Sequence, residues 1–553
     1  MSSVQDMAEP GPRGTRRESA SSRLRRLGFV DTTRAQNLLE DKDLVEVLGS
    51  VGPSSPLVGA VGGAADPDLA LLALVRLCST VRGTPWSERL AALLGEAGPG
   101  LTRTAAVLGA SAALGDEIIR HPELVTVLAD LTPGIGVDAG EVRAELLRAV
   151  GADPDAAVPV AGMPVDDATD AMRRAYRSRL LRIAASDLTS PEPLSILPAV
   201  GAALADLAAA SLEAGLAIAR TGIEGNGLEV RLAVLGMGKC GGRELNYVSD
   251  VDVIYVAEPA DGVEESVAMR VGARLVTGLT RACSAPSNEP PLWPVDAALR
   301  PEGKDGPIVR TLTSHRAYYE RWAKTWEFQA LLKARTVAGD RELGSAYLDA
   351  VGPMVWQAVT RENFVSDSQA MRRRVEDHVP AAEADRQLKL GKGGLRDVEF
   401  TVQLLQLVHG RTDETIRSAH TLTALAALTA GGYVARDDAA RMSVAYRFLR
   451  VLEHRIQMFR LERTHLLPTD EADLRRLARA AGMREEGATG LLDRWKETRR
   501  DVRSMHEALY YRPLLPAVAQ LSRAEASLSP ENQQARLAAI GYRDPRGAVR
   551  HIA

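Results

Sequence analysis

Asp250 and Asp252 are separated by a single valine and run into the apolar stretch Val253-Ile254-Tyr255-Val256. In an extended strand successive side chains alternate, so both carboxylates fall on one face. Two like charges on an otherwise apolar strand repel, resist burial and require a counter-charge. A divalent cation supplies one, and Mg2+ takes a few carboxylates and completes its shell with phosphate oxygens. Seven residues separate Asp250 from Gly241-Gly242, a turn whose backbone N–H groups can approach a phosphate closely, and Ser249 adds a hydroxyl donor. This is a pattern for metal-assisted nucleotidyl transfer. A two-metal site of that kind wants a third carboxylate. The candidate is Asp296 in Pro294-Val295-Asp296-Ala297-Ala298-Leu299, with Arg300 following as a cation for phosphate. A bare Asp-x-Asp or Gly-Gly is a common loop or cap feature; the reading rests on their combination with apolar strands.

These residues need a sheet to hold them. Leu228–Gly238 is short, β-branched and ends in glycines, which predicts a buried strand entering a turn. Val251–Ala257 predicts a second strand, Ser266–Cys283 a helix, and Leu292–Leu299 a third strand that Pro294 confines to an edge or breaks. Before them, residues 23–225 carry mainly helical periodicity, as in Leu69–Leu77, Thr102–Leu114 and Ala202–Ala219. Pro122 should start a new helix within Asp116–Leu128, and the Gly/Pro-rich stretch Thr132–Asp167 holds linkers. After them, helices are expected over Ser314–Lys333, Arg341–Thr360, Val398–Val408, Thr421–Ala430, Asp437–Leu461 and Gly490–Leu509.

The fold class is therefore α+β and predominantly helical. The expected divisions are a disordered tail (1–22), a helical region (23–225), a mixed-sheet domain (226–340), a helical bundle (341–515) and a terminal segment (516–553). Such a length exceeds one hydrophobic core. A net charge of −4 carries no global signature for nucleic acid. No apolar run approaches the ~20 residues that span a bilayer, so no membrane partner is expected. The N-terminus has no apolar core of a secretory signal. Three distant cysteines make neither a disulfide framework nor a zinc spacing, and a reducing bacterial cytoplasm is the natural setting. Eight lysines stand against sixty arginines.

The segment GMGKCGGRELNYVSDVDVIYV resembles the signature of glutamine-synthetase adenylyltransferase/adenylyl-removing enzymes. The resemblance extends to Ser111 with Arg120-His121-Pro122-Glu123-Leu124, to VDAALRPEGKDGPIVRTL, to WEFQALLKARTVAGD and to GKGGLRDVEFTVQLLQLVHG. Cys240 departs from the leucine usual there. The resemblance implies a polymerase-beta-like nucleotidyltransferase sheet between helical domains, with a bundle like that of PII-uridylyltransferases. It implies two Mg2+ ions on Asp250, Asp252 and Asp296. Phosphate or nucleotide contacts are then expected from Gly241, Gly242, Ser249, Lys239 and Arg300, with Lys333 and Arg335 as further candidates. The Arg396–Glu399 group, at a helix start, is expected near the site.

Enzymes of this family have two homologous halves, one removing AMP from a glutamine synthetase tyrosine and one attaching it. RLxx[LI]G[FY]xD occurs at Arg23–Asp31 and again at Arg536–Asp544, as though a second unit begins there. The chain thus resembles the AMP-removing half, in which phosphate and tyrosyl-AMP give tyrosine and ADP. Two alternatives stay open. One is adenylylation from ATP; the other is an inert nucleotide-binding regulatory module. Uridylyltransfer to a PII-type protein fits less well, because no His-Asp dipeptide of the usual accompanying phosphohydrolase occurs. Glutamine synthetase is the implied protein substrate and a PII-type protein an implied regulator.

Overall fold

Alternation along two strands sets the two sides of the sheet. In β1 (Val230–Gly236), Leu232 and Val234 enter one apolar cluster while Ala233 and Leu235 enter another. In β2 (Val251–Pro259), Val251, Val253, Tyr255 and Ala257 join the first, and Ile254 and Val256 the second. Both faces are covered, which is why these strands read as continuous apolar runs. This computed structural model describes residues 19–130 and 132–511. The Arg536–Asp544 repeat and the segment 516–553 lie outside the described residues, as does most of the expected tail. Where that tail is described, at residues 20–22, it is already helical: Ser19 caps the helix Ala20–Leu27.

The sheet is mixed, in the order β3-β2-β1-β4. β1 runs antiparallel to β2 and to β4 (Arg335–Gly339), and β2 runs parallel to the two-residue edge strand β3 (Val295–Asp296). The rest of the described chain is helical or loop, so the fold is α+β and mostly helical. β4 was not expected: five residues with one valine carry little strand signal. The helix expected over Ser314–Lys333 is two, Leu312–Arg321 and Thr325–Leu331. Helix Ala139–Ala149 lies inside the expected linker, and Phe364–Asp377 and Glu471–Ala480 are further helices.

One apolar core runs from Leu24 through the first sheet face to Ala338 and continues across residue 225. A second covers the other face with helices from Leu312 to Leu407, and a third fills the helices between Leu388 and Met505. The axis of the first is helix Pro193–Thr221. At 29 residues it is long and apolar enough to cross a membrane, which corrects the expectation that no apolar run reaches that length. It is apolar on all sides because it is packed on all sides, by Ala139–Ala149, Val165–Leu188, Glu265–Ser284 and Arg436–Arg460. Its buried Asp206 and Glu213 pair with Arg243 and Arg143.

His315, in helix Leu312–Arg321, is buried against the second face, with Nε2 3.3 Å from the Tyr255 carbonyl and its ring edge-on to Tyr347. Burial pushes its pKa down to about 4. Below its ordinary value the unfolded chain takes up a proton that the folded chain refuses, so stability falls as pH drops from about 6.5 to about 4. This one group accounts for up to about 3 kcal/mol of that fall. In His315→Gln the difference between the urea midpoints at pH 7 and pH 5 should narrow; an unchanged difference would refute the assignment.

Candidate active site

The parallel register of β2 and β3 places Asp252 beside Asp296, and Asp250 lies immediately before β2. The three expected carboxylates therefore come together. Burial and the neighbouring Asp296 lift the Asp252 pKa to about 6; Asp250 adds to the rise, while Lys389 and Arg396 oppose it. Asp296 Oδ1 accepts the Ala298 N–H at 2.8 Å, and Asp250 Oδ2 pairs with Arg463 at 2.5 Å. The three do not form one of the tight ligand clusters among the described residues, which are Glu117–His121–Glu289 and Glu376–Asp397–His506. Asp250 is turned toward Arg463 instead. The donor set still fits a hard divalent cation: all oxygen, mutually repelling, with Asp252 raised by its neighbours.

The glycine reading needs correcting. A Cβ on Gly241 would stand 1.8 Å from the Lys333 carbonyl oxygen, and one on Gly242 2.8 Å from that of Ala419. Their N–H groups donate to the Met237 and Gly238 carbonyls, at 2.9 and 3.0 Å, and neither glycine lines the cavity. The glycine at the cavity is Gly238, at φ +51°, where a Cβ would lie 2.8 Å from Asp252 Oδ2. Arg335 is also committed, donating to the carbonyls of Gly241 (3.2 Å) and Cys240 (3.0 Å). Arg300 spends its guanidinium on the carbonyls of Ala297, Lys304 and Gly306, closing its own loop. Neither is free for phosphate. Ser249, Lys239 and Lys333 do line the cavity.

That cavity measures about 310 Å³. Gly238, Ser249 and Asp252 form one wall. Further lining comes from Lys389 and from helix Leu395–His409, through Arg396, Glu399, Phe400 and Gln403, and from Trp326. Burial raises the Glu399 pKa, but Arg396, Lys333, Lys239 and Lys389 outweigh it and hold the carboxyl below its ordinary range. Asp397 turns away to Arg372 and the Gly393 N–H. Lys389, Trp326 and Gln403 were not anticipated. A signal for Lys389 was present: three of the eight lysines, Lys239, Lys333 and Lys389, converge on this cavity in a chain that otherwise uses arginine.

Residues 101–350 match the family described as glutamate-ammonia ligase adenylyltransferase, and residues 369–510 match that described as GlnD PII-uridylyltransferase. A Streptomyces avermitilis protein named bifunctional glutamine synthetase adenylyltransferase/adenylyl-removing enzyme is 52% identical over 99% of this chain and 52% of its own length. Proteins of the same name from Bifidobacterium longum subsp. infantis and Nocardia farcinica are 47% and 48% identical, over 96% and 95% of this chain. The chain belongs to the glutamine synthetase adenylyltransferase/adenylyl-removing family. It spans about half the length of the curated relatives it matches.

Within this family member the signature Gly238–Asn246 works mainly as a joint. Lys239 Nζ donates to both oxygens of Glu453 (2.8 and 3.0 Å) and to Asn246 (3.2 Å). Glu453, fully buried in helix Arg436–Arg460, also faces Arg450 and His465. Glu244 receives Lys333 at 2.5 Å and the Thr421 N–H at 2.8 Å. Asn246 donates to Gln457 at 2.6 Å, and Arg243 grips Asp206. Burial, then Arg450, pulls the Lys239 pKa down to about 7, against the pull of Glu453. Removing one member of a buried ion pair strands the other at a cost of about 3–5 kcal/mol. Glu453→Gln should therefore lower the denaturation midpoint strongly, and adding Lys239→Met should recover part of the loss. Additive losses in the double variant would show that the pair is not coupled.

Proposed function

We propose that the chain removes AMP from an adenylylated tyrosine of glutamine synthetase by phosphorolysis, and so controls nitrogen assimilation. The observation that carries this reading is the register of Asp252 against Asp296, which brings a second carboxylate beside the one that lines a cavity bordered by four cations. The names borne by its relatives support glutamine synthetase as the protein substrate. The direction, removal rather than attachment, is supported by the likeness of Arg23–Asp31 to Arg536–Asp544, as expected if this motif belongs to the first of two units. A PII-type protein is the expected regulator, in keeping with the family matched by residues 369–510.

Asp250, Asp252 and Asp296 would hold Mg2+, with two ions expected, and Asp250 would exchange Arg463 for the metal. When bound, the metal screens the phosphodiester charge and stabilises the developing charge on the departing oxygen. Gly238 leaves room for the Asp252 carboxylate at the cavity, and Ser249 offers a hydroxyl donor to the α-phosphate. A tyrosine oxygen, with a pKa of ~10, leaves more readily than an alkoxide, so a strong general acid is not required. Trp326 and Phe400 supply flat apolar surface for a nucleobase.

The purified chain incubated with adenylylated glutamine synthetase should release ADP in proportion to added phosphate and should need a divalent cation. Asp252→Asn should reduce the rate by at least about a thousandfold while leaving the melting temperature near that of the parent. Transfer of AMP from ATP onto unmodified glutamine synthetase, with no phosphate-dependent release, would reverse the assigned direction. Full activity in Asp252→Asn would remove the site itself.

A further inference from the structure

Four cations surround the cavity, and they are not equivalent. Lys239 is neutralised by Glu453, and Lys333 by Glu244. Arg396 has only a long contact with Glu399, at 3.5 Å, and its Nε is buried without a hydrogen-bond partner. Its guanidinium carbon lies over the Phe400 ring, 5.5 Å from the centroid. The Lys389 ammonium has no hydrogen bond or ion pair among the described residues, while its backbone is anchored through the Gln387 side chain (3.1 Å) and the Arg396 N–H (3.0 Å). Burial lowers the Lys389 pKa, and the adjacent Arg396 lowers it further. Glu453 and Glu399 oppose that shift, but Glu453 is paired with Lys239 and Arg450 and Glu399 reaches only Arg396, so two cations lining one partly dry cavity have room for an added anion. That anion would be separate from the diester, whose charge a divalent cation held by Asp250, Asp252 and Asp296 would screen.

We propose that Lys389 and Arg396 form the subsite for the free inorganic phosphate dianion, the nucleophile of the reaction assigned above, on which this inference rests. Arg396 offers a planar fork for two phosphate oxygens, and Lys389 a compact charge for a third. A phosphate oxygen held there forms the new bond to the α-phosphorus of tyrosyl-AMP, and the bond from that phosphorus to the tyrosine oxygen breaks. The proton of hydrogen phosphate passes to the departing phenolate. Hydrogen phosphate and the diester monoanion thus become ADP and neutral tyrosine, with three negative charges before and after. Glu399, beside Arg396, is a positioning residue that keeps the guanidinium on the wall.

The test measures phosphate dependence of ADP release from adenylylated glutamine synthetase, together with calorimetric binding of inorganic phosphate to the chain alone. Lys389→Gln and Arg396→Gln should each raise the phosphate KM by at least about tenfold, with the divalent-cation requirement unchanged, and should abolish calorimetric binding. Lys389→Arg should restore part of the affinity, and the exposed Lys392→Gln should behave as the parent. If ADP is released but both variants keep the parental phosphate KM, the subsite is wrong and the assigned reaction stands. If the parent releases no ADP yet binds phosphate through Lys389 and Arg396, the reaction is wrong and the subsite stands. Loss of ADP binding with phosphate binding intact would assign these cations to the nucleotide instead and overturn the proposal.

Discussion

A charge withdrawn from water must meet its opposite within hydrogen-bond distance, and the helix Arg436–Arg460 is placed by that requirement. Glu453 has no exposed surface and is met by Lys239, Arg450 and His465. Three donors around one carboxylate hold it well below its ordinary pKa despite burial. Lys239 follows β1 directly, so the sheet and the helical bundle are locked through a contact 214 residues apart in sequence. Glu244 repeats the arrangement with Lys333 and Thr421, and Arg450 donates to the carbonyls of Glu244 and Leu245. Such networks tolerate little displacement, because a half-satisfied one is worse than an apolar contact. The cavity is the space left between two bodies held in this way.

The carboxylate side depends on the smallest element of the sheet. β3 is two residues long, and the Val251 N–H to the Pro294 carbonyl (3.0 Å) helps to set its register. A shift of one residue would turn Asp296 to the other face. The repulsion between Asp252 and Asp296 works against this pairing. Lys389 and Arg396 lie near enough to oppose the rise in the Asp252 pKa. The bundle therefore stabilises the arrangement of acids on the sheet as well as facing it.

Much of this was legible in the residues. Alternation predicts β1 and β2, the broken apolar segment around Pro294 predicts an edge strand, and Thr421–Ala430 reads as the helix it is. The carboxylates were legible because few structures tolerate Asp-x-Asp entering an apolar strand. The cations were less so. Arg300, Arg335, Gly241 and Gly242 carry the residue types of a phosphate site, but local backbone carbonyls or close packing claim them, and only tertiary structure decides that competition. Lys389 lies 137 residues beyond Asp252, so no spacing rule connects them. Its one sequence signal is compositional, a lysine in a chain that nearly always prefers arginine.

Carboxylates and cations also fall in segments that resemble different families, the former within residues 101–350 and Lys389 and Arg396 within 369–510. Each segment alone would be electrostatically incomplete. Separated from the bundle, the sheet would keep three acids without the cations facing them, and Lys239 would lose Glu453. Separated from the sheet, the bundle would keep Glu453 and Arg450, with Lys389 and Arg396 facing no acids across a cavity. The interface is therefore more than a junction between two independent units: it brings Asp252 from the sheet and Lys389 and Arg396 from the bundle to the lining of one cavity, beside the buried ion pair Lys239–Glu453. Chemistry that brings two anions together needs positive charge for both, and here the bundle supplies part of it to a cavity whose aspartate comes from the sheet.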